Sequence, residues 1–329
     1  MPEAAGVVNR PPVRLIASDL DGTVLGHDFR FRERTVAALA AARDVGIRVV
    51  FVTGRPSRWL DPLREQIGDA GVVICSNGAV VYNPATDRVL EASVFGLEDA
   101  LPVIEDITRA LPGTLFAAET LQRVHTDPGW SRTDRMEIRD VTEAPVTGSL
   151  IPGTEVVKLL AKLDGADPGD YFERVRRIVG DRLSATHSVA AAPLVEMGQR
   201  GLTKARTLER FTAELVIDRS EVMAFGDMPN DLEMLTWAGR GYAMADGHPG
   251  VVAAVERTAP AFSQDGVAQV IEHYLAHEHD AALRAAPSGG STRTREDAAP
   301  PHAAPSHAVA PREIPGGAVA DTTRKDRHG

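Results

Sequence analysis

Two kinds of stretch alternate at the start of the chain. Residues 13–18 and 47–52 are near-continuous apolar runs of strand length, and 72–75 is a shorter third. Between them, residues 35–45 place Val36, Leu39, Ala40 and Val45 at helical spacing before a glycine stop at Gly46, and Pro56 suits the first turn of a second helix reaching to Ile67. Strand, helix, strand, helix, strand predicts a parallel sheet with right-handed crossovers. From Val80 the elements shorten. Strands are predicted at 80–82, 88–90, 114–119, 122–125, 155–161, 182–186 and 194–197, with helices at 101–110 and 169–179. An inserted α+β domain over 83–192 is expected from this change of texture. The parallel pattern resumes with a helix over 203–215, whose Leu208, Phe211 and Leu215 share a face, and a strand at 222–225. A helix over 231–238 capped by Asn230, a strand at 241–244 and a last helix over 266–275 complete it. The expected organisation is a lead at 1–12, a core in two parts at 13–82 and 193–280, the insertion between them, and a tail at 281–329. The lead is expected to be disordered, and so is the tail, which is rich in Ala and Pro, has no aromatic residue and cannot bury enough apolar surface. The fold class expected is α/β, a Rossmann-like parallel sheet with an inserted α+β cap.

Composition narrows the setting. Hydrophobic content of 43% and charged content of 25% are those of an ordinary globular protein, and the single cysteine, Cys75, excludes an internal disulfide framework. No signal-peptide pattern and no apolar run of about 20 residues is present, so the expected location is cytoplasmic and no membrane partner is expected. A net charge of -10 argues against nucleic acid as a partner.

Candidate chemistry collects where the apolar runs stop. The first run ends in Asp19 and Asp21, the second in Thr53-Gly54-Arg55, the third in Ser76-Asn77-Gly78-Ala79, and the strand at 222–225 in Gly226-Asp227-Met228-Pro229-Asn230-Asp231. In a parallel sheet all these carboxyl ends face one crevice. Alternate residues of an extended segment share a direction, so Asp19 and Asp21 are expected side by side, where like charges call for a cation. The plain alternative for that stretch is an Asp-Gly hairpin turn. Lys204 begins a helix, where a cation opposes the macrodipole, and a bound anion would give it a reason to be there. Carboxylates, a threonine hydroxyl and an ammonium suit a metal-bridged phosphate. Thr53 and Asn77 read either as ordinary loop-entry residues or, in preference, as phosphate contacts. Arg55 reads either as one or as the partner of a structural carboxylate, and Asp231 either as an early-helix acid or as an outer contact of a metal. Cys75, inside an apolar strand, reads as a buried inert thiol, and His302 and His307 form no metal-ligand spacing.

Taken in order, D-L-D-G-T at 19–23, T-G-R at 53–55 with S-N-G-A at 76–79, Lys204 and G-D-M-P-N-D at 226–231 resemble the four motifs of the haloacid dehalogenase superfamily of phosphohydrolases, in its Cof-type branch. The resemblance covers residues 13–275. It implies that Asp19 is the nucleophile of an aspartyl-phosphate and that Asp21 is the general acid that protonates the leaving alcohol and then activates water. It further implies a Mg²⁺ ion held by Asp19, the backbone carbonyl of Asp21 and Asp227, with Asp231 in the outer shell. Phosphate and substrate contacts then fall to Thr53, Gly54, Arg55, Asn77, Lys204 and Asn230, and substrate choice to the cap, with Glu119, His125 and Trp130 as candidates. Ala205 stands where many relatives carry glycine. The activity implied is a phosphatase of small phosphorylated metabolites, sugar phosphates above all. Phosphotransfer between hydroxyls, as in phosphomutases, and a silent binding module are the alternatives at this stage. The partner expected is a small phosphate ester, and the oligomeric state is open.

Overall fold

The computed structural model describes residues 11–26, 28–67, 71–130, 140–187, 189 and 192–279. The expected tail and all but the last two residues of the expected lead lie outside the described residues. The chain first lays down β1 (Leu15–Ser18), β2 (Arg48–Val52), β3 (Val73–Cys75), β4 (Val80–Asn83) and β5 (Arg88–Ala92). It then builds a second sheet from β6 (Leu115–Glu119), β7 (Val124–Thr126), β8 (Val141–Glu143), β9 (Lys158–Lys162), β10 (Leu183–Thr186) and β11 (Leu194–Gln199). It returns with β12 (Val222–Gly226), β13 (Arg240–Met244) and β14 (Arg257–Ala259).

The core sheet runs β14-β13-β12-β1-β2-β3-β4-β5, parallel from β14 to β3. Its strands are apolar on both faces because both faces are covered. Leu15 and Ala17 turn to the layer of the helices Lys204–Glu214 and Leu232–Trp237, packing with Leu208, Met234 and Leu235. Ile16 turns to the opposite layer, where Leu39 and Ala42 of the helix Glu33–Asp44 and Ile271 and Tyr274 of the helix Gly266–His277 lie. Ser18 is in register with Phe225 on one side and Phe51 on the other, so the residues that follow β1, β2 and β12 emerge at one place. The cap sheet runs β10-β11-β9-β6-β7-β8. The helices Leu97–Ala110 and Pro168–Val179 cover one of its faces through Val103, Ile107, Tyr171 and Val175, which meet Phe116, Leu159, Val195 and Met197. The other face turns toward the core. Among the described residues no helix is long and apolar enough to cross a membrane.

The structure moves several expected boundaries. β4 and β5 belong to the core sheet, and β11 to the cap sheet, so the chain crosses between sheets near residues 93 and 201, not 83 and 192. The reason at the first crossing is geometric. Only Ser76–Ala79 separate β3 from β4, too few residues for a crossover, so β4 runs antiparallel to β3 and extends the same sheet. The helix expected after Pro56 is a 3₁₀ segment, Ser57–Leu63, running into one α turn, Arg64–Ile67. Pro62 falls inside it, and a proline there lacks the N–H an α-helix needs. In the first helix, Thr35, Ala38, Leu39 and Ala42 form the buried face, while Val36 and Val45 are exposed.

One glycine ties the third strand end to the helix that begins with Lys204. Gly78 has φ +107°, and a Cβ there would lie 2.6 Å from the carbonyl oxygen of Thr203. Gly78→Ala should therefore lower stability by about 1–3 kcal/mol, a drop of roughly several degrees in Tm. The exposed-site control Val36→Ala should move Tm little. An unchanged Tm in Gly78→Ala would show that the loop and helix are free to separate.

Candidate active site

The centre of the site is a buried cluster of charges. One carboxylate oxygen from each of Asp19, Asp227 and Asp231 lies within 4.8 Å of the others. Lys204, 1% exposed, sets its Nζ 2.5 Å from Asp19 Oδ1 and 2.7 Å from Asp231 Oδ1. Local structure places each group. Asp19 is the first residue beyond β1 and is fixed by its N–H, which donates to the Phe225 carbonyl. Thr203 caps the helix Lys204–Glu214 by accepting the Arg206 N–H, which sets the lysine on the first turn. The other oxygen of Asp231 accepts the backbone N–H groups of Asp227 (3.1 Å) and Met228 (3.0 Å), so this side chain caps its own turn and braces the loop. Gly22, at φ +78°, leaves the space that Asp227 fills, since a Cβ there would come within 2.5 Å of Asp227 Oδ2.

The electrostatics of the cluster are unbalanced. Burial, followed by Asp231, pushes the Asp227 carboxyl up to about 7. Burial also raises Asp19 well above the ordinary carboxylate range, against the pull of Lys204. Burial alone would lower Lys204, but Asp19 and Asp231 outweigh it and hold the ammonium above its usual range. Three carboxyl groups face one ammonium, an excess of acidic groups, and oxygen donors suit a hard divalent cation. Asn230 Oδ1 is a buried acceptor without a hydrogen-bond partner among the described residues and belongs to the same loop. The donor set fits such an ion, with Asp19 and Asp227 offering oxygens that Lys204 and the backbone have not taken.

Asp21 is near enough to Asp19 and Asp227 for its charge to raise both carboxyls, but it lies past the end of the strand. β1 ends at Ser18, the chain turns, and the Asp21 carboxylate is 49% exposed and gripped on both oxygens by Arg55, Nε and Nη2 each 2.6 Å away. Arg55 thus has Asp21 as its carboxylate partner, with the guanidinium also over the Phe29 ring. Thr53 Oγ1 accepts the Arg55 N–H at 3.1 Å, and the Thr53 carbonyl accepts the Asn77 N–H, which binds the second and third strand ends together. Asn77 adopts φ +57°, a conformation asparagine tolerates, and its side-chain oxygen accepts the Asn230 amide at 3.0 Å. Asn230 is thus not the cap of the helix after it; Asp231 takes up the amides of that turn.

The cap reaches into this group of loops. Glu119, Lys158 and Glu196 share the sheet face opposite the cap helices, since Glu119 pairs with Lys158 and Glu196 pairs with Leu160, two residues along β9. Lys158 Nζ donates to the Gly54 carbonyl at 2.9 Å and lies 3.4 Å from Glu119 and 3.8 Å from Glu196. Glu119 accepts from the Ser76 hydroxyl, and Glu196 accepts from the Asn77 amide. Of the expected cap residues, Glu119 therefore faces the core loops and His125 does not. His125 lies on the helix-packed face with its Nδ1 3.0 Å from Ser149 Oγ, and Trp130 carries Lys162 over its ring. Lys158, Glu196 and the neighbouring Arg58 are residues that reading the sequence missed. A lone charge inside an apolar strand, as in V-V-K-L-L and L-V-E-M, was the available signal. Cys75 is buried and burial pushes its thiol up, as an inert thiol requires. His302 and His307 lie outside the described residues.

Known proteins resemble this chain in sequence and fold. The family model of haloacid dehalogenase-like hydrolases matches residues 16–271. The 5-amino-6-(5-phospho-D-ribitylamino)uracil phosphatase YitU of Bacillus subtilis is 30% identical, over 79% of this chain and 97% of its own length. An HMP-PP phosphatase of Yersinia pseudotuberculosis is 26% identical over 81% of this chain and 97% of its own. Among solved structures, SMU.1108c from Streptococcus mutans superposes with a TM-score of 0.70 at 25% identity, covering 80% of this chain and 99% of that one. With the four strand ends in place and the family model spanning both sheets, the chain belongs to the haloacid dehalogenase-like hydrolases.

Proposed function

We propose that this protein is a Mg²⁺-dependent phosphatase of small phosphorylated metabolites, sugar phosphates among them, that works through an aspartyl-phosphate on Asp19. The observation that carries the reading is the buried ion pair of Lys204 with Asp19, set beside Asp227 and Asp231 at the carboxyl ends of parallel strands. Relatives named as phosphatases support the reaction class, and the ribityl phosphate in the name of YitU supports a phosphorylated polyol chain as one kind of substrate. Asp19 and Asp227 would hold the ion, with Asp231 behind them. When bound, it neutralises phosphate oxygens and the carboxylates around it.

The rest of the chemistry falls to the chain itself. An oxygen of Asp19 attacks phosphorus, an Asp–O–P bond forms and the bond to the leaving alcohol oxygen breaks. Lys204 orients the attacking carboxylate and faces the charge on the transferring group. The Thr53 hydroxyl and the Gly54 N–H stand at the neighbouring strand end for the phosphate oxygens. Asp21 gives its proton to the departing oxygen, then takes one from the water that hydrolyses the intermediate. With Arg55 on both its oxygens, Asp21 reaches the leaving group only when that grip opens, and the freed Arg55 can then turn to the substrate.

Two predictions test this reading. Asp19→Asn removes the attacking oxygen and should reduce turnover of every ester to background. Asp21→Asn should lose about 10²- to 10⁴-fold on an alkyl phosphate and far less in the first turnover of p-nitrophenyl phosphate, whose alcohol departs without a proton. Equal loss on both esters in stopped-flow assays would remove Asp21 from the acid role.

Metal and pH are linked through Asp227. Its carboxyl is raised to about 7 in the folded, metal-free protein against 3.8 unfolded. The folded state therefore binds the proton more tightly, and the stability this confers is present below about pH 4 and is lost as pH rises through 7. A cation that replaces the proton should restore it. Mg²⁺ should raise Tm more at pH 8 than at pH 5.5, and chelator should lower it more at pH 8. A Mg²⁺-induced shift that is equal or larger at pH 5.5 would contradict the assignment.

A further inference from the structure

The seam between cap and core holds a cation that the mechanism above leaves unused. Arg58 lies in the 3₁₀ segment three residues after Arg55, and its Nη1 donates to the Thr120 carbonyl at 2.9 Å. Its Nε and Nη2 are buried and have no acceptor among the described residues. These two nitrogens form one edge of the guanidinium, with two parallel N–H groups. The same edge elsewhere in this chain holds carboxylates, Glu272 from Arg34 and Asp21 from Arg55. Among the described residues Arg58 presents that fork to no acceptor.

Two carboxylates, Glu119 and Asp140, act on Arg58 by their charge without accepting from this edge. Glu119, next to Thr120, is turned to Lys158 and Ser76. Lys158 is itself surrounded by the Gly54 carbonyl, Glu119 and Glu196, so two carboxylates already attend one ammonium. Through Gly54 and Ser76 this group borders the strand ends that carry the candidate phosphate contacts. Burying two donors of a cation without acceptors is costly, and such a cost is retained where a ligand removes it.

We propose that the Nε–Nη2 edge of Arg58 is a specificity determinant that receives an oxyanion on the alcohol part of the substrate. This rests on the phosphatase reading and refines it: the preferred substrates are phosphate esters that carry a second anionic group, a carboxylate or a second phosphoryl group. A neutral hydroxyl fills one donor at a time and brings no charge, whereas an oxyanion accepts both N–H groups together. Lysine has no such fork.

Three probes that cannot be hydrolysed test it: propylphosphonate, 3-phosphonopropionate and propane-1,3-diphosphonate, titrated calorimetrically into the full chain with excess Mg²⁺. The wild type should bind one or both of the doubly charged probes at least about ten-fold more tightly than propylphosphonate, and which one gains names the source of the oxyanion. Arg58→Met should remove that preference and Arg58→Lys should keep only part of it. Equal binding of all three probes to the wild type overturns the inference, as does a loss shared equally by all three in Arg58→Met, which would make Arg58 structural. The wild-type comparison stands even where Arg58→Met fails to fold. Hydrolysis of p-nitrophenyl phosphate, measured alongside, separates the two claims. Turnover without a preference sinks the Arg58 site alone, and a preference without turnover sinks the phosphatase reading while the anion site stands.

Discussion

Lys204 is the residue on which the site depends. Its ammonium is fully buried between Asp19, at the end of β1, and Asp231, in the loop after β12. A buried ion pair is weak evidence of stability, because the cost of removing two charges from water can match their attraction, yet losing one partner typically costs about 3–5 kcal/mol. That asymmetry makes the lysine a strict organiser. It fixes where the chain may re-enter the core after the cap, it holds Asp19 in one orientation, and it brings Asp231 to the position from which that side chain braces Asp227. A cation in the ordinary place for a helix N-terminus would be unfavourable; here the surrounding carboxylates reverse the sign.

The cap joins the same network through a second buried lysine. Lys158 spans from β9 to the Gly54 carbonyl, and Glu196 reaches the Asn77 amide, whose oxygen in turn holds Asn230. Polar contacts therefore run without a break from the cap sheet to the loop that carries Asp227. A cap so connected can register what occupies the strand ends, since a group entering between Gly54 and Asn77 meets cap and core side chains together. Arg58 lies at that seam with one edge unused, and the polarity of the seam, not its shape alone, is what a substrate meets.

Much of this could be read from the sequence, and the places where reading failed have physical causes. The core strands announced themselves because burial on both faces gives uninterrupted apolar runs, and their carboxyl ends announced the site because a parallel sheet gathers them. Asp19, Asp227, Asp231 and Lys204 meet as the order of motifs led one to expect. The grip of Arg55 on Asp21 was not foreseen, because the period-two rule applies only while the strand lasts and β1 stops at Ser18. The cap boundary was misplaced at Asn83 because a hairpin strand added to a parallel sheet has the same local texture as a strand of a new domain. His125 was grouped with Glu119 from spacing along the chain, but pairing with Ala118 puts it on the other face of the sheet. Arg58 had no signal at all, since an arginine after a turn is usually solvated and only the folded cap buries it.

The central claim is that Asp19 is the atom-bearing partner of the phosphoryl group, and it is tested most directly by catching the intermediate. Asp21→Asn leaves the nucleophile in place and removes the base that clears it. After brief exposure to p-nitrophenyl phosphate and Mg²⁺ and an acid quench, mass spectrometry of the digested protein should find one added phosphoryl group on the peptide that contains Asp19. An adduct on any other residue, or a burst of p-nitrophenol with no adduct anywhere, would contradict the account.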